Sequence, residues 1–459
     1  MKIKKTFTLV AILLLIINYV LISPRVIFKS NISFSASKNE TLSATTVVNK
    51  FNERTNIQKI INAAYEGEVV YLKAGIYFIS NTIFVNKSIS IIGENVKNTI
   101  IDGYGMKFPI FVISARNVTI KGLTIQNATI SESSGVAINI AKTASIHISN
   151  CVIKHCSQGI RLTDSQKCKI TFNLFSDLGV GVYVRNGTSN LIAMNTFEGN
   201  GKGIWLSDEK SQGNLIYANN FINNSVHLEL FNFNNTFCRG YPVGGNFWND
   251  CSFCDCFNGA YQNETGSDGI CDSQYMYDRY PLAGKITVFP LYLNGETFYI
   301  DLISNADVGT LFFNGSEGTV TFWIHTVKNA SFCRISIPKL ILWCENKSKW
   351  KVTINKQQAT AQIFEGNNYT CIYFTINLSS MYCKVKVSGE KSISLSPFQG
   401  DLNNDGIVDV QDLNELIQYY GKRRKDYNWN PYADLGPNDG EIDVLDFATF
   451  LYIAAKEGN

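Results

Sequence analysis

Two acidic loops near the carboxyl end of the sequence have the residue types and the spacing of calcium sites. The first loop reads DLNNDGIVDVQD, in which oxygen-bearing side chains alternate with other residues around a central glycine. Calcium takes about six to eight oxygen ligands, and the glycine permits the sharp turn that gathers them. The predicted ligands of the first loop are Asp401, Asn403, Asp405, the Ile407 carbonyl, Asp409 and Asp412.

The second acidic loop repeats the pattern 34 residues further along the chain, counted from Asp412 to Asp446. One extra residue in the stretch 436–438 leaves its third ligand open. Both loops lead directly into apolar stretches with helical spacing, which begin at Leu413 and Phe447. The predicted ligands of the second loop are Asp434, Asp439, the Glu441 carbonyl, Asp443 and Asp446.

Tandem loop–helix units with aspartate at the last ligand position resemble type I dockerin domains. The resemblance covers residues 399–459. It implies a small helical module that folds around calcium and binds a cohesin-like protein partner. The alternative is a pair of turns rich in aspartate and glycine that bind no metal.

Aromatic and basic residues recur at intervals of 22 residues in the middle of the sequence, at Arg161, Tyr183 and Trp205. Planar side chains in a file offer a surface for sugar rings, and arginine favours acidic sugars. With Arg185, these are the predicted carbohydrate-binding residues; an ordinary solvated face is the alternative. The two predicted outward columns are Ala137, Arg161, Tyr183, Trp205, His227 and Asn139, Thr163, Arg185, Ser207, Glu229.

Asp164 and Asp208 are the weak catalytic candidates of the same region. They occupy equivalent positions two repeats apart, so stacked repeats would separate them by about 9.6 Å. An inverting pair of carboxyl groups lies roughly 6.5 to 9.5 Å apart. Asn186 stands between them in the same column, and such a file is typical of stacked Asx turns. We therefore expect structural turns and no hydrolysis of glycosidic bonds.

An internal repeat of about 22 residues carries these candidates. Glycines recur at intervals of 24, 22 and 22 residues from Gly135 to Gly203, each followed by a short strand with alternate aliphatic residues. Asn173, Asn195 and Asn219 each precede a phenylalanine by two residues. The pattern predicts a parallel β-helix with Asn and Phe ladders. The predicted inward pairs are Val136/Ile138, Ile160/Leu162, Val182/Val184, Ile204/Leu206 and Val226/Leu228.

The flanking segments have other patterns. Helical spacing from Ile57 to Ala64 predicts a short helix that covers the open end of the β-helix. Alternating runs between residues 285 and 396 predict an antiparallel β-sandwich. The predicted domains are therefore 45–284 for the β-helix with a closing loop, 285–396 for the sandwich and 399–459 for the calcium module.

Several segments between residues 50 and 284 resemble archaeal NosD-like proteins of the pectin-lyase-like superfamily. They include IQKIINAAYEGEVVYLKAGIYF, KSISIIGENVKNTIIDG and the closing stretch GGNFWND, followed by NETGSDGICDSQYMYDRYPL. The resemblance implies a right-handed parallel β-helix and thus an all-β fold class with a small helical module at its end. It implies either a copper-linked accessory role or a carbohydrate-related role. Cys271 departs from the family, where glycine is more common.

The first 30 residues predict export. Lys2, Lys4 and Lys5 precede an apolar run over residues 7–22, which is the pattern of a cleaved signal peptide or of a retained signal anchor. Fourteen Asn-x-Ser/Thr sequons are consistent with a secreted glycoprotein. The predicted location is extracellular or the cell surface.

Cysteine usage favours disulfides, since the predicted compartment is oxidising and the chain has 12 cysteines. Two bridges are predicted in the sandwich among Cys333, Cys344, Cys371 and Cys383. Three cysteines of the repeat are predicted to be buried thiols: Cys151, Cys156 and Cys168. For the cluster Cys251, Cys254 and Cys256, disulfides are favoured over a metal site or free thiols.

Composition narrows the function classes. The net charge of +3 and the 17% of charged residues exclude a polybasic nucleic-acid binder and a charge-driven disordered chain. We predict an exported β-helix protein that binds a polysaccharide or other glycan and is tethered to a partner by its calcium module. Membrane contact would come only from an amino-terminal anchor. The alternatives are a polysaccharide lyase or glycoside hydrolase, for which no explicit constellation is present, and a copper-related accessory protein.

Overall fold

The computed structural model describes most of the chain after its first 44 residues. The described residues are 45–48, 56–129, 135–251, 254–293, 296–325, 331–366, 368–376, 382–392, 400–402, 408–423, 433–436 and 441–457. The predicted signal or anchor segment, residues 1–30, lies outside them. Within these ranges, no helix has the length and apolar character needed to span a bilayer.

The chain up to the end of the β-helix consists of short strands and one short helix, α1 at Ile57–Ala63, which lies between the first and second strands. In chain order the strands are β1 Thr45–Val48, β2 Val69–Leu72, β3 Gly75–Phe78, β4 Ile83–Val85, β5 Ser90–Gly93, β6 Thr99–Met106, β7 Phe111–Ile113, β8 Thr119–Lys121, β9 Thr124–Ala128, β10 Val136–Ala141, β11 His147–Ser149, β12 Val152–Lys154, β13 Gln158–Thr163, β14 Lys169–Thr171, β15 Leu174–Ser176, β16 Val180–Arg185, β17 Leu191–Ala193, β18 Thr196–Glu198, β19 Lys202–Leu206, β20 Leu215–Tyr217, β21 Asn220–Ile222, β22 Val226–Leu230, β23 Phe247–Trp248, β24 Phe257–Asn258 and β25 Glu264–Thr265.

Strands β1 to β23 form three parallel sheets that wrap around one core, while β24 and β25 pair antiparallel with each other. The first sheet has the order β1-β2-β5-β8-β11-β14-β17-β20, the second β4-β7-β10-β13-β16-β19-β22 and the third β3-β6-β9-β12-β15-β18-β21-β23. Each coil contributes one strand to each sheet, and neighbouring coils pair in parallel. The predicted parallel β-helix is therefore confirmed, as is the amino-terminal helix, which buries Ile57 and Ile61 in the core.

Aliphatic columns fill the interior of the β-helix. Along the first sheet, one isoleucine from each coil lies in register with the next, and each is 0% exposed: Ile91, Ile120, Ile148, Ile170, Ile192 and Ile216. β-Branched residues suit a strand that is buried on one face, which explains why isoleucine dominates these columns. The inward columns position every outward side chain discussed below.

The register of the second sheet differs from the prediction at its amino-terminal end. Ile138, rather than Val136, lies beside Ile160. The reason is that Ala137 takes the position that Gly159 has in the next coil, so the glycine spacing misplaced this strand by two residues. Val136 and Ile138 are both 0% exposed, as predicted, but the pair that lies beside Ile160 and Leu162 is Ile138 and Ile140.

The register also differs at the carboxyl-terminal end of this sheet. Leu228, rather than Val226, lies beside Ile204, and Val226 is 38% exposed. The turn between β19 and β20 is two residues longer than its predecessor, since the paired residues Leu191 and Leu215 are 24 apart. A period fixed at 22 residues therefore placed the last strand two residues too early.

Asparagine side chains form a ladder at the turn between the first and third sheets. Each side-chain N–H donates to the carboxamide oxygen of the next coil, from Asn173 to Asn195, to Asn219 and to Asn246, at 3.0 Å in every step. Asn246 in turn donates to the carboxylate of Asp278 at 3.3 Å. The same oxygens accept backbone N–H groups of the preceding coil, so the ladder satisfies buried polar groups at each turn.

Aromatic side chains form a second ladder inside the core. Phe175, Phe197, Phe221 and Trp248 stack with interplanar angles of 6°, 9° and 4°. Their ring centroids are 4.8, 5.1 and 4.3 Å apart in the same order. The spacing is that of neighbouring parallel strands, so identical residues in successive coils meet face to face. The Asn and Phe ladders predicted from the repeat are confirmed.

A closing loop, residues 237–284, covers the last coil. Its buried Asp278 accepts hydrogen bonds from the backbone N–H of Asn246 at 2.6 Å and from the indole N–H of Trp248 at 3.1 Å. Burial raises the pKa of Asp278 to about 7. A Cβ atom on Gly245 would lie 1.9 Å from this carboxylate, so the close approach requires glycine.

Antiparallel strands follow from Lys285 to Ser392. They are β26 Lys285–Leu293, β27 Glu296–Ser304, β28 Asp307–Asn314, β29 Thr319–His325, β30 Ser331–Pro338, β31 Leu342–Trp343, β32 Lys351–Ile354, β33 Gln357–Ala359, β34 Ala361–Glu365, β35 Tyr369–Ile376, β36 Tyr382–Ser388 and β37 Lys391–Ser392. A 3₁₀ turn spans Lys347–Lys349. The sheets β26-β27-β30-β35-β34 and β28-β29-β36-β32-β33 share an apolar core, so the predicted antiparallel arrangement is confirmed.

Polar contacts join the sandwich to the β-helix. The side chain of Asn220 on β21 both donates to and accepts from the backbone of Ile286 on β26, at 2.9 Å in each direction. Arg334 of β30 is 1% exposed and donates to the carbonyl oxygens of Asp268, at 3.2 Å, and of Pro242 in the closing loop. A buried guanidinium held in this way fastens the closing loop to the sandwich.

Two helices follow the sandwich, α2 at Val410–Tyr419 and α3 at Val444–Glu457. Leu416 and Phe450, one from each helix, are buried in a small core of their own together with Ile442. The backbone of Ile442 accepts from Gly421 at 2.8 Å and donates to Lys422 at 2.9 Å, which joins the two sequence copies.

Candidate functional site

The predicted carbohydrate-binding residues lie on the outward side of the second sheet. The observed column, here called the outward ladder, consists of Asn139, Arg161, Tyr183, Trp205 and Glu229. Ala137 and His227, which were predicted to end this column, are instead 0% and 5% exposed, because the register shifts described above turn them inward. Arg185 lies in the neighbouring column beside Thr163.

The planar groups of the outward ladder pack against each other at an angle. The Tyr183 and Trp205 ring centroids are 5.0 Å apart with an interplanar angle of 75°. The Arg161 guanidinium lies 6.0 Å from the Tyr183 centroid. All three side chains are half-buried. The planar groups of the ladder therefore pack edge to face and leave one side exposed. The spacing had predicted a flat stacked platform instead.

The cations of the outward ladder have local partners. Lys202 lies 3.9 Å from the Trp205 ring centroid and forms an ion pair with Glu229 at 2.7 Å. The Arg161 Nε donates to the side-chain oxygen of Gln158 at 2.8 Å. A complementary charge in the next coil therefore neutralises Lys202, whereas the partner of Arg161 is a neutral amide.

Asp164, Asn186 and Asp208 occupy one column of turns, as predicted. The Asn186 side-chain N–H donates to Asp164 at 2.5 Å, and its backbone N–H donates to Asp208 at 2.8 Å. Asp164 and Asn186 both have φ of 50°, in the left-handed region that Asn and Asp tolerate. Asp208 also accepts from Ser211. The file is therefore held together by hydrogen bonds between neighbouring coils, and Asp208 also accepts from the N–H of Lys210 two residues on, as in an Asx turn.

The cysteines do not follow the predicted pairing. All twelve lie within the described residues, and none of them forms a disulfide in this structure. In the sandwich, Cys333 pairs with Phe374 and Cys371 with Ser336 along β30 and β35. The two cysteines are therefore three positions out of register on neighbouring strands and point to opposite faces of the sheet, so a bridge between them is excluded by geometry. The predicted sandwich disulfides are absent from this structure.

Other cysteines lie where they were expected. Cys151, Cys156 and Cys168 are buried in the coils, and burial raises the pKa of Cys151 and Cys156 to about 12. In the closing loop, a hydrogen bond with Cys251 and burial both raise the pKa of Cys271. Among the described residues, no group of three or more His, Cys, Asp or Glu is arranged to hold a metal ion.

The first predicted calcium loop is described at both of its ends. The carboxylate of Asp412 is fully buried and accepts from the backbone N–H of Leu402 at 2.7 Å and of Asp409 at 2.9 Å. Asp409 caps α2 by accepting from Gln411 at 2.7 Å. These bonds draw the first and last predicted ligands together. Asn403, Asp405 and Ile407 lie outside the described residues.

The second predicted loop repeats this arrangement bond for bond. Asp446 accepts from the backbone of Gly436 at 2.8 Å and of Asp443 at 2.7 Å, and Asp443 accepts from Leu445 at 2.7 Å. Glu441 forms an ion pair with Arg423 at 3.0 Å. Asp439 lies outside the described residues.

The donors that are described suit calcium. Asp401, Asp412, Asp434 and Asp446 are 8%, 0%, 4% and 1% exposed. Carboxylates buried at such density are costly unless a cation or hydrogen bonds compensate for the lost hydration. Carboxylate oxygen is also the ligand type that calcium prefers. The described donors are thus of the chemical type that calcium binds, and the remaining predicted ligands, Asn403, Asp405, Ile407 and Asp439, lie outside the described residues.

A cleft between the β-helix and the sandwich was missed by sequence reasoning. It consists of two adjoining cavities of about 810 and 370 Å³, which share His147, Thr171, Phe172 and Tyr299 among their lining residues. One wall is the outward side of the first sheet, and the other is formed by β26 and β27. One feature of the sequence marked the border of this cleft. The outward residues of the first sheet change from Lys169 to apolar residues in the next coil.

The amino-terminal part of the chain matches a known family. Residues 43–252 match the NosD family model, which is described as periplasmic copper-binding protein (NosD). The resemblance seen in the sequence is confirmed to this extent. No curated protein matches the chain.

Solved structures with related folds are similar only at a low level. An alginate lyase from a Paenibacillus species has 16% identity and a TM-score of 0.33, and the match covers 41% of this chain and 72% of that one. A pectin methylesterase from Yersinia enterocolitica has 15% identity and a TM-score of 0.25 over 53% and 85%. The Dettilon tailspike protein has 12% identity and a TM-score of 0.24 over 75% and 92%. Function is therefore inferred from the residues of this chain.

Proposed function

We propose that this protein is an exported carbohydrate-binding scaffold of the archaeal NosD-like type, tethered to a partner by a calcium-dependent, dockerin-like module. The outward ladder would contact the glycan, and the cohesin-like partner would bind the module formed around α2 and α3. The proposed location is outside the cytoplasm, at the cell surface or in the medium. The description of the matching family as periplasmic is consistent with such a location.

The observation that carries the glycan proposal is the alignment of Arg161, Tyr183 and Trp205 on a rigid sheet. Neighbouring coils repeat at about 4.8 Å, which is close to the size of one sugar ring. Half-buried aromatic groups provide contact area at little cost in side-chain entropy. An extended glycan would run across the coils, and exposed Arg185 beside the ladder would favour an acidic one.

The calcium proposal is supported by the duplicated hydrogen bonds of Asp412 and Asp446. When bound, calcium would supply the positive charge that stabilises the gathered carboxylates. The chain's own residues hold these oxygens at the start of α2 and α3, where each aspartate also accepts backbone N–H groups. The module would therefore present its two helices to a partner only in calcium.

The glycan proposal is tested by affinity electrophoresis of the full chain through gels that contain neutral or acidic polysaccharides. Trp205→Ala should lower the retention at least about tenfold, because it removes the largest contact surface of the outward ladder. Trp343→Ala, in the sandwich, is the matched control. Equal retention of wild type and Trp205→Ala in every gel would exclude the ladder as the glycan site.

The calcium proposal is tested by calorimetric titration of the chelator-treated full chain. Wild type should bind two calcium ions, and Asp412→Ala and Asp446→Ala should each lose one. Asp307→Ala, an exposed carboxylate in the sandwich, should bind two. If the two loop variants bind as wild type does, the dockerin-like interpretation is wrong. The same preparations, assayed for lyase and hydrolase activity and for bound copper, test the two alternative functions.

A further inference from the structure

The residues that line the cleft between the first sheet and the sandwich change from apolar to polar along its length. The apolar residues are those that the sandwich covers. In later coils, the outward residues Leu191, Leu215, Ala193 and Tyr217 pack with Ile286 in an apolar cluster that the sandwich covers. In earlier coils, the corresponding residues of the same two columns are polar or charged. They are Thr119, His147 and Lys169 in one column and Lys121, Ser149 and Thr171 in the other.

These polar residues lie at the open end of the cleft. His147 is flanked by Lys169 in the next coil, with Lys121 in the preceding coil one column away. Its Nε2 lies 3.1 Å from the hydroxyl of Thr171. Lys285 of β26 also lines the cavity, but it belongs to the end near the later coils, because the adjacent Ile286 is hydrogen-bonded to Asn220, three coils beyond His147. The cationic side chains at the end near His147 are therefore those of the β-helix wall.

The local charge at His147 is positive. Burial lowers the pKa of His147, and the neighbouring Lys169 and Lys121 lower it further. The carboxyl groups that line the two cavities are Glu198 and Asp301. Asp301 is engaged at the deep end by Ser336 and Arg334, while burial raises its pKa to about 6. An anion placed beside His147 would therefore relieve repulsion among three cationic or protonatable groups.

The rest of the lining is suited to a hydroxyl-rich ligand. Threonine hydroxyls come from both walls, including Thr171 and Thr196 on the β-helix and Thr287 and Thr297 on the sandwich. Phe172 and Tyr299 stack across the cleft with centroids 5.2 Å apart and provide an apolar surface. A sugar-binding site is typically lined by hydroxyl and aromatic groups together with a few precisely placed charges.

We propose that this cleft binds a short acidic oligosaccharide, with the carboxylate of a uronate residue held between Lys121 and Lys169 beside His147. The sugar hydroxyls contact the threonines of both walls, and one ring face lies against the Phe172–Tyr299 pair. The inference takes its ligand class from the proposed function, but its site is a different surface from the outward ladder. A glycan bound here would contact the β-helix and the sandwich at once.

The first test is calorimetric binding of galacturonate trisaccharide to the full chain, with the fully methyl-esterified trisaccharide as the neutral match. Lys121→Gln/Lys169→Gln should weaken binding of the acid at least about tenfold, because the carboxylate loses both of its cations. Lys59→Gln/Lys351→Gln removes the same net charge at exposed positions outside the cleft and should leave binding unchanged. Equal affinity of wild type and the cleft variant for the acid would overturn the proposal, and so would equal affinity of wild type for the acid and the ester.

The second test is the titration of His147 by NMR, assigned with His147→Gln among the four histidines. The titratable and charged groups that line the two cavities with it are Lys121, Lys169, Glu198, Tyr217 and Arg239 on the β-helix and its closing loop, and Lys285, Tyr299, Asp301, Tyr369 and Cys371 on the sandwich. Bound uronate should raise its pKa by about one pH unit. An unchanged pKa with bound trisaccharide would place the ligand elsewhere. Equal displacement by inorganic phosphate at the same concentration would mean that the site binds any anion, which also contradicts a uronate site.

The two glycan sites can fail independently. Loss of acid binding in the cleft variant, with full binding in Trp205→Ala, supports the cleft and contradicts the outward ladder. The reverse pattern contradicts the cleft and leaves the proposed function intact. No binding by wild type in any assay contradicts both.

Discussion

The outward ladder and the cleft lie on the outward sides of two sheets of one β-helix, yet their charges are arranged in opposite ways. On the outward ladder, Lys202 has Glu229 as its neighbour in the next coil. In the cleft, Lys169 has His147 in the preceding coil. In a repeat of this kind, residues at equivalent positions of neighbouring coils lie next to each other. Whether a charged side chain has an opposite charge beside it therefore depends on the residue in the next coil. Lys202 on the outward ladder is therefore balanced by a carboxylate, whereas Lys169 in the cleft lies beside a group that can itself become positive.

The largest effect should come from Asp278, because both surfaces depend on the closing loop that it anchors. Asp278→Ala leaves the buried donors of Asn246, Trp248 and Tyr280 without their acceptor. Each such group costs about 1 to 3 kcal/mol, so the loss of stability should be about 3 kcal/mol or more. Thermal unfolding of the full chain measures it. Asp272→Ala, which removes a less buried acceptor in the same loop, is the control. Equal melting temperatures of wild type and Asp278→Ala would contradict the role of Asp278 as the anchor of the closing loop.

The same carboxyl group should make stability depend on pH. Its pKa is raised from 3.8 to about 7, so the folded state holds a proton that the unfolded state has lost between these values. Stability from this group is therefore highest below about pH 4, falls as the pH rises to about 7 and is constant above. Asp278→Asn should reduce this slope. Asp255 and Asp301, with pKa values raised to about 7 and about 6, retain part of it. A slope that is unaltered in the variant would contradict the prediction.

Charge balance on the outward ladder can be broken with one substitution. Glu229→Gln leaves Lys202 without its carboxylate partner, which makes the ladder resemble the cleft. We expect roughly threefold tighter binding of galacturonate polymers, since an exposed ion pair is worth about 1 kcal/mol or less. Affinity electrophoresis at low salt measures the change, and neutral polymers serve as the control. Weaker binding of the acidic polymer would show that Glu229 itself contacts the glycan.

The converse change applies to the cleft. Lys169→Glu replaces a repelling neighbour of His147 with an attracting one. The pKa of His147 should rise by about one pH unit in the absence of ligand, as NMR titration would show. Lys59→Glu, on α1, should leave it unchanged. A pKa of His147 that does not respond would mean that its surroundings are decided by burial alone.

The sequence was most informative where one coil repeats the next. The isoleucine, asparagine and phenylalanine positions predicted the ladders, because identical residues at one period must meet in a stack. The same reasoning failed at Ala137 and Val226, where a missing glycine and a two-residue insertion shift the register without changing the composition. Strand propensity does not tell which of two nearby aliphatic residues faces inward once the length of the repeat changes from one coil to the next.

The cleft and the calcium loops show two other limits. The cleft arises only when β26 and β27 pack against the first sheet, so no motif along the chain encodes it, although the change from Lys169 to Leu191 marks its border. The two calcium loops were predicted from spacing alone, because ligands within a short loop are local in sequence, and calcium binding stays a prediction. In both loops the last predicted ligand, Asp412 or Asp446, accepts two backbone N–H groups at the start of a helix. Disulfides depend on contacts between distant strands, and none of the predicted sandwich bridges is present.

The asparagine ladder has a direction, and that direction bears on self-assembly. Each amide donates toward the carboxyl-terminal coils, so a second molecule could extend the stack there only by offering an oxygen acceptor. The last donor, Asn246, is already directed at Asp278, whose two oxygens accept from Asn246, Trp248 and Tyr280. A carboxylate has no N–H group with which to donate a further hydrogen bond. The amide chain therefore terminates inside the molecule, which protects the protein from fibre growth through this end.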